Sequence, residues 1–152
     1  MRYDVVIIGA GAAGFACALT LGSANDKFDW AKDKKYLILD DNKSDLNVGK
    51  YFNVAGVESG INGVDLLLKM KKQLEIYKDV ELKDEKATKI ENLGEYFKVT
   101  TENSTYEASI VVLATGLHKF DIEFEGVNVK DNIFVPKPNN IYLENSNNLI
   151  PK

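Results

Sequence analysis

Three short stretches of the chain are continuously apolar, at residues 5–8, 36–39 and 110–113. Strands in the middle of a parallel sheet are covered on both faces, so they show apolar runs rather than alternation. Polar or small residues bound each run, as is typical of a strand that ends at a turn. We predict that the three segments form a central parallel sheet.

A different pattern fills the middle of the chain. Residues 87–93, 96–101 and 105–108 alternate between apolar and polar positions, and turn-forming residues separate them. This alternation predicts antiparallel strands, so we expect a β-meander that covers one face of the sheet. Helical spacing at residues 12–22, and again from the predicted N-cap Asn62 to about residue 78, adds two helices.

The first apolar run leads directly into glycines spaced G-x-G-x-x-G, at Gly9, Gly11 and Gly14. In a strand–turn–helix unit the first glycine permits the tight turn and the second lets a pyrophosphate approach the backbone. The third lets the helix pack closely on the strand. The helix N-terminus then presents free N–H groups to the phosphates. The motif predicts a dinucleotide site in a Rossmann-like, three-layer α/β domain; the alternative is a glycine-rich structural turn.

An acidic residue at the end of the second strand typically accepts the ribose hydroxyls in such sites. Asp40 occupies that place, with Asp41 as the alternative, although Asp40 lies 31 residues after Gly9 and the usual spacing is about 20. An insertion at residues 25–34 accounts for the extra length. We expect its aromatic residues, Phe28 and Trp30, to anchor the insertion to the body of the domain, or else to meet a partner.

The composition narrows the functional classes. The 152 residues predict one domain, and the net charge of −4 disfavours nucleic acid or an anionic membrane as a partner. No apolar stretch is long enough to span a bilayer, and a single cysteine, Cys17, cannot form an internal disulfide. We expect a cytoplasmic protein in which Cys17 packs as a small buried residue. No residue cluster predicts a metal site.

Several motifs in one order resemble the thioredoxin-reductase-like family of FAD- and NAD(P)-binding flavoproteins, over about residues 1–116. The similar segments are the glycine motif at 5–14 and residues 35–40, 51–56, 85–91, 97–101 and 111–116. The resemblance covers only the first half of that family's FAD domain. It implies an FAD-binding domain at residues 1–116 and a C-terminal extension, 117–152, that completes or flanks it.

By this resemblance the chain binds FAD. The implied cofactor-binding residues are Gly9, Gly11, Ala12, Ala13 and Gly14 at the pyrophosphate, Asp40 or Asp41 at the adenosine ribose, the Ala87 backbone at the adenine, Ala114, Thr115 and Gly116 along the cofactor, and Asn53 toward the flavin. From the glycine motif alone, NAD in place of FAD stays open.

The chain also departs from the family. Residues 41–50 replace the family's Gly-Gly-Gln loop, and Ala55 stands where the family has a proline before Gly56. There is no Cys-x-x-Cys motif and no second G-x-G-x-x-G after Gly116. We therefore expect neither a thioredoxin-reducing dithiol nor an NADPH domain of the family kind in this sequence.

Three functions stay open. The chain could be an FAD-dependent oxidoreductase that takes electrons from NAD(P)H or a partner redox protein. It could be a non-catalytic FAD- or nucleotide-binding module, such as one half of a split reductase, or a degenerate fold kept for a protein interaction. No catalytic residue is identified; His118, two residues after Gly116, is a weak candidate for proton transfer. An uncovered flavin ring would favour a homodimer or a loosely held cofactor.

Overall fold

The computed structural model describes residues 2–116 and 122–126. Its strands and helices are β1 (Arg2–Ile8), α1 (Ala12–Asn25), β2 (Tyr36–Asp40), β3 (Lys50–Tyr51), β4 (Ile61–Asn62), α2 (Gly63–Leu74), β5 (Val80–Asp84), β6 (Ala87–Asn92), β7 (Phe97–Thr101), β8 (Thr105–Leu113) and β9 (Glu123–Glu125). Short 3-10 helices cover Asp29–Ala31 and Asp45–Val48. No helix in this described part is long and apolar enough to cross a membrane.

Within the described residues, seven strands form one sheet in the order β5-β2-β1-β8-β7-β6-β9. β1 runs parallel to both β2 and β8, with Ile8 opposite Leu39 on one side and opposite Leu113 on the other. The predicted parallel arrangement of the three apolar segments is therefore confirmed. β5 adds a further parallel strand beside β2. The sequence pattern does not indicate this role, because charged residues interrupt the apolar run of β5.

The predicted meander is present, but it is continuous with the parallel part of the sheet. β8 is one nine-residue strand. On one side, residues Thr105 to Ala108 pair antiparallel with β7; on the other side, residues Glu107 to Leu113 pair parallel with β1. The prediction of two separate strands, 105–108 and 110–113, is wrong because pairing with β1 and β7 keeps the backbone extended through Ser109.

Different elements cover the two faces of the parallel strands. α1 and α2 pack on the face that carries Ile7 and Ile38. β6 and β7 pack on the opposite face, where Ile90 and Val99 are fully buried against Val6. This arrangement confirms the predicted three-layer α/β architecture, with helices on one face of the parallel strands and the meander on the other.

Both helices end elsewhere than predicted. α1 continues past residue 22 to Asn25, whose side chain donates a hydrogen bond to Lys34 O and accepts one from the Tyr36 hydroxyl, each at 2.9 Å. α2 begins after the predicted N-cap Asn62, whose side-chain oxygen accepts from Asp65 N at 2.8 Å. It ends at Leu74 rather than near residue 78, because the chain turns there and brings the Tyr77 ring against Gly22 of α1.

The aromatic residues of the insertion do not anchor it to the domain. Phe28 and Trp30 are 51% and 66% exposed, and their rings stack on each other with centroids 5.8 Å apart. The expectation that they pack against the body is therefore wrong. The buried residue of this segment is Ala31, and the Asn25 hydrogen bond to Lys34 closes the insertion at its base.

The Asp4 side chain in β1 forms hydrogen bonds with the two residues that precede β2. Its carboxylate accepts hydrogen bonds from Lys34 Nζ at 2.7 Å and from Lys35 N at 2.9 Å. Burial raises the pKa of this carboxyl, but these hydrogen bonds and the Lys34 charge outweigh burial, so the pKa lies below its usual value of 3.8. A depressed pKa stabilises the fold above the unfolded-state pKa, and that stabilisation is lost as the pH falls through the folded-state value.

Asp4→Asn is therefore expected to lower the free energy of unfolding by about 1 kcal/mol at neutral pH. Urea denaturation should show this difference shrinking below the usual aspartate pKa, where the wild-type carboxyl also becomes neutral. Asp26→Asn, at an exposed residue beyond the end of α1, is the matched control and should change the free energy of unfolding little. A difference at Asp4 that does not vary with pH would contradict this account.

Candidate functional site

The turn after β1 contacts the ends of the two neighbouring parallel strands, β2 and β8. Gly9 has φ +101°, which L side chains rarely adopt, and its N–H donates to Leu39 O of β2 at 2.8 Å. A Cβ at Gly9 would lie 2.4 Å from Ala114 O, just beyond β8. The backbone after β8 therefore packs directly on the turn, and only glycine fits there.

The other two glycines of the motif have different surroundings. A Cβ at Gly14 would lie 1.8 Å from the Gly9 carbonyl oxygen, so α1 packs on the turn with no room for a methyl group. A Cβ at Gly11 would meet only Ser44 Oγ, at 3.5 Å, which is an ordinary contact. Gly14 is therefore required by packing, whereas the fold itself leaves room for a Cβ at Gly11. We call the backbone of Gly9, Gly11 and Gly14 the glycine cradle.

α1 points its N-terminus at this cradle. Gly11 is the N-cap, no side chain caps the helix, and no acidic residue lies in its first turn. Ala12 and Ala13 are exposed at the start of the helix. The partial positive charge of a 14-residue helix thus faces the glycine cradle without a negative side chain of that helix to neutralise it. This arrangement suits an anion.

The Asp40 carboxylate lies against the glycine turn. One carboxylate oxygen accepts from Ala10 N at 2.7 Å, within the glycine turn, and the other accepts from Asn42 N at 3.1 Å. Asp41 is exposed instead, and its carboxylate accepts from Lys43 N at 3.1 Å in the following turn. The structure thus brings Asp40, and not Asp41, against the cradle. Each Asp40 oxygen has a further lone pair with which it could accept from a ribose hydroxyl.

The remaining predicted site residues lie at varied distances from the cradle. Ala114 and Thr115 contact Gly9, as the clashes of a Gly9 Cβ show, and Gly116 follows them with φ +75°. Ala87 is buried at the start of β6. Asn53 is exposed in the loop after β3, and no described contact joins it to the cradle. His118 and most of the extension 117–152 lie outside the described residues.

Cys17 lies within α1 and is half-buried, so it is less covered than expected. Burial raises the pKa of its thiol. A thiol with a raised pKa carries little thiolate at neutral pH and is a poor nucleophile. This agrees with a packing role for Cys17.

The sequence pattern does not predict the structure of the loop between β2 and β3 or its contact with the glycine cradle. Its 3-10 helix, Asp45–Val48, is capped by Ser44, whose Oγ faces Gly11. The loop also packs on α2, where a Cβ at Gly63 would lie only 1.4 Å from Leu46 O. The one available signal was Ser44-Asp45, a common start for a helical turn. No periodicity marked Gly63 as a contact point.

Comparison with known proteins agrees with this geometry. A family model described as pyridine nucleotide-disulphide oxidoreductase matches residues 3–147. This chain belongs to that family. The resemblance to thioredoxin reductases that the motifs indicate is thereby confirmed at the family level.

Individual relatives are similar over about three quarters or more of the chain. A thioredoxin reductase of Treponema pallidum is 32% identical over 114 residues, which cover 75% of this chain and 35% of that relative. The structure of a Lactococcus lactis thioredoxin reductase matches with a TM-score of 0.66 and 31% identity, covering 82% of this chain and 39% of that one. A ferredoxin-flavin thioredoxin reductase of Clostridium acetobutylicum matches with a TM-score of 0.61 and 30% identity, covering 78% and 39%.

The chain therefore spans little more than a third of the length of these family members. Its glycine cradle, Asp40 and the strand order around them lie within the region that matches. The site described above is thus part of a family fold, whereas the activity of the longer relatives belongs to proteins with much additional sequence.

Proposed function

We propose that this chain binds FAD through the ADP half of the cofactor, as an oxidoreductase related to thioredoxin reductase. The observation that carries the proposal is the glycine cradle, where nothing but Ser44 Oγ, at 3.5 Å, lies near the Cβ position of Gly11. The uncapped N-terminus of α1 begins at Gly11, and the Asp40 carboxylate accepts from Ala10 N in the same turn. An anion-binding surface beside a hydroxyl acceptor suits a pyrophosphate joined to a ribose.

Two features favour FAD over NAD. The segment Ala114, Thr115 and Gly116 matches the flavoprotein motif, and it packs against the glycine turn as a wall of the site. The Clostridium relative is described as a flavin enzyme. On this basis we propose residues 1–116 as the FAD-binding unit and residues 117–152 as an extension that completes or flanks it.

Each predicted site residue takes a role in this proposal. The backbone of Gly9, Gly11, Ala12, Ala13 and Gly14 would bind the pyrophosphate, Asp40 the adenosine ribose, and the Ala87 backbone the adenine. Ala114, Thr115 and Gly116 would line the cofactor, with Asn53 toward the flavin. The chemistry that such a cofactor supplies is transfer of hydride or of single electrons, while the protein contributes position and electrostatics.

A second candidate function is a non-catalytic FAD- or nucleotide-binding module, or one half of a split reductase. The replacement of the family's Gly-Gly-Gln loop by residues 41–50 favours it. The two candidates differ in turnover. After reconstitution with FAD, an oxidoreductase should oxidise NADH or NADPH with a dye as acceptor, and a binding module should not. A folded protein that binds neither flavin nor another nucleotide would refute both and leave the third function, a protein-interaction fold.

We also propose that the flavin is held loosely or is shared in a homodimer, and that the exposed, stacked pair Phe28 and Trp30 is a contact surface. Sedimentation of the protein loaded with FAD tests this: a monomer that retains FAD at nanomolar affinity would contradict it.

We further propose a cytoplasmic location, which fits the single cysteine.

Asp40→Ala is expected to weaken FAD binding by about 10- to 150-fold, because a charge-assisted hydrogen bond contributes roughly 1.5–3 kcal/mol. Fluorescence titration with FAD measures this effect. Asp41→Ala is the matched control, since that carboxylate bonds only within its own turn among the described contacts. Loss of affinity at Asp41 with none at Asp40 would show that the ribose is held one residue further along.

A further inference from the structure

The loop between β2 and β3 lies across the glycine cradle. A Cβ at Gly11 would lie 3.5 Å from Ser44 Oγ, and a Cβ at Gly116 would lie 3.7 Å from the Asp45 carboxylate. Successive residues of the loop thus face the two ends of the site. Ser44 faces the glycine at which a pyrophosphate would approach the backbone.

Contacts outside the cradle hold this loop in position. Gly63 N, at the start of α2, donates to Gly49 O at 2.9 Å, and the Tyr51 hydroxyl donates to Leu46 O at 3.3 Å. Leu46 O also packs against Gly63 with no space for a side chain. Ser44 is therefore held opposite Gly11 by the packing of the loop on α2 and β3.

The hydroxyl of Ser44 has the hydrogen-bonding capacity for a phosphate. Its oxygen accepts from Leu46 N at 3.3 Å, as the N-cap of the 3-10 helix. That bond uses a lone pair and leaves the hydroxyl hydrogen to donate. Within residues 2–116 and 122–126, no acceptor takes that hydrogen. Phosphate oxygens are strong acceptors for such a donor.

We propose that Ser44 is a phosphate-binding residue whose hydroxyl donates to the pyrophosphate held over Gly11. The inference rests on the proposed FAD site and adds a side-chain donor to a cradle that otherwise consists of backbone. The chain thereby uses residues 41–49 as the opposite wall of the pyrophosphate site.

Three substitutions of Ser44 separate phosphate binding from capping. Ser44→Asp keeps a good N-cap acceptor but places a negative charge against the pyrophosphate. Ser44→Ala removes both the hydroxyl and the cap, and Ser44→Thr keeps both. Ser59→Asp, at an exposed serine of another loop, adds the same charge elsewhere and is the matched control.

Calorimetric titration with ADP and with adenosine is the test, since only ADP carries phosphates. We expect Ser44→Asp and Ser44→Ala to weaken ADP binding at least tenfold, as for the loss of a hydrogen bond to a charged group. Adenosine binding should stay within about twofold, and Ser44→Thr and Ser59→Asp should resemble wild type in both titrations. If Ser44→Asp fails to fold, the comparison of Ser44→Ala with Ser44→Thr decides.

Two outcomes overturn the proposal. Unchanged ADP affinity in Ser44→Ala shows that the hydroxyl makes no contact with phosphate. An equal loss of ADP and adenosine affinity shows that the loop has moved and that no phosphate contact was removed. A wild-type protein that binds neither ligand refutes the FAD site itself, so failure of the underlying function is distinguishable from failure of the role of Ser44.

Discussion

Gly11→Val is expected to abolish FAD binding while leaving a folded protein. Gly11 has φ −81°, which any residue adopts, and a Cβ there meets only Ser44 Oγ at 3.5 Å. The fold therefore has room for the side chain at the cost of a less favourable N-cap, about 1 kcal/mol. The branched side chain would occupy the space through which a pyrophosphate reaches the backbone, so we expect affinity to fall more than about 100-fold, or 2.8 kcal/mol.

Two measurements separate the effect of Gly11→Val on stability from its effect on FAD binding. Urea denaturation of the cofactor-free protein measures stability, and fluorescence titration measures FAD affinity. We expect the variant to unfold at nearly the same urea concentration as wild type and to lose FAD binding. FAD affinity equal to that of wild type would mean that the glycine motif is merely a structural turn.

Gly14→Ala is expected to have the opposite effect and to destabilise the fold severely. The added Cβ would lie 1.8 Å from the Gly9 carbonyl oxygen and 2.9 Å from the Gly9 carbonyl carbon. Both are backbone atoms fixed by β1, so α1 must move away from the sheet. Overpacking usually costs about 1–3 kcal/mol. We expect at least the upper end of that range, because no flexible side chain can yield.

Gly11→Ala is the matched control for Gly14→Ala, since it adds the same methyl group three residues away in the same motif. Urea denaturation should separate the two variants by about 2 kcal/mol or more in the free energy of unfolding. Equal stability of the two variants would show that α1 does not pack on Gly9 as closely as described.

The parts of the fold that the sequence predicted were those in which local pattern and tertiary role coincide. β1 and β2 are apolar on both faces because both faces are covered, so their runs are continuous. The glycine spacing predicts the turn, since only glycine tolerates the φ of Gly9 and the close contact at Gly14. The position of Asp40 beside the turn was predicted from its place at the end of β2, and its hydrogen bond to Ala10 N agrees with that prediction.

The errors arose where a long-range contact decides the local structure. Ser109 could belong to a turn or to a strand, and pairing with neighbouring strands makes it part of the nine-residue β8. Trp30 resembles a core residue by type, yet it stacks on Phe28 at the surface. The loop at residues 41–49 shows no periodicity because contacts with α2 and β3 set its path. Such contacts leave no spacing signal in one sequence.

The central claim is that this chain holds FAD by its ADP half, and a competition titration tests it most directly. FAD is added to the purified, cofactor-free protein while flavin fluorescence is followed, and ADP is then added as competitor. We predict saturable one-to-one binding of FAD, displacement by ADP, and much weaker binding of FMN, which lacks the adenosine half. A protein with a normal unfolding transition that shows no saturable FAD binding, or binds FMN as tightly as FAD, would contradict the account.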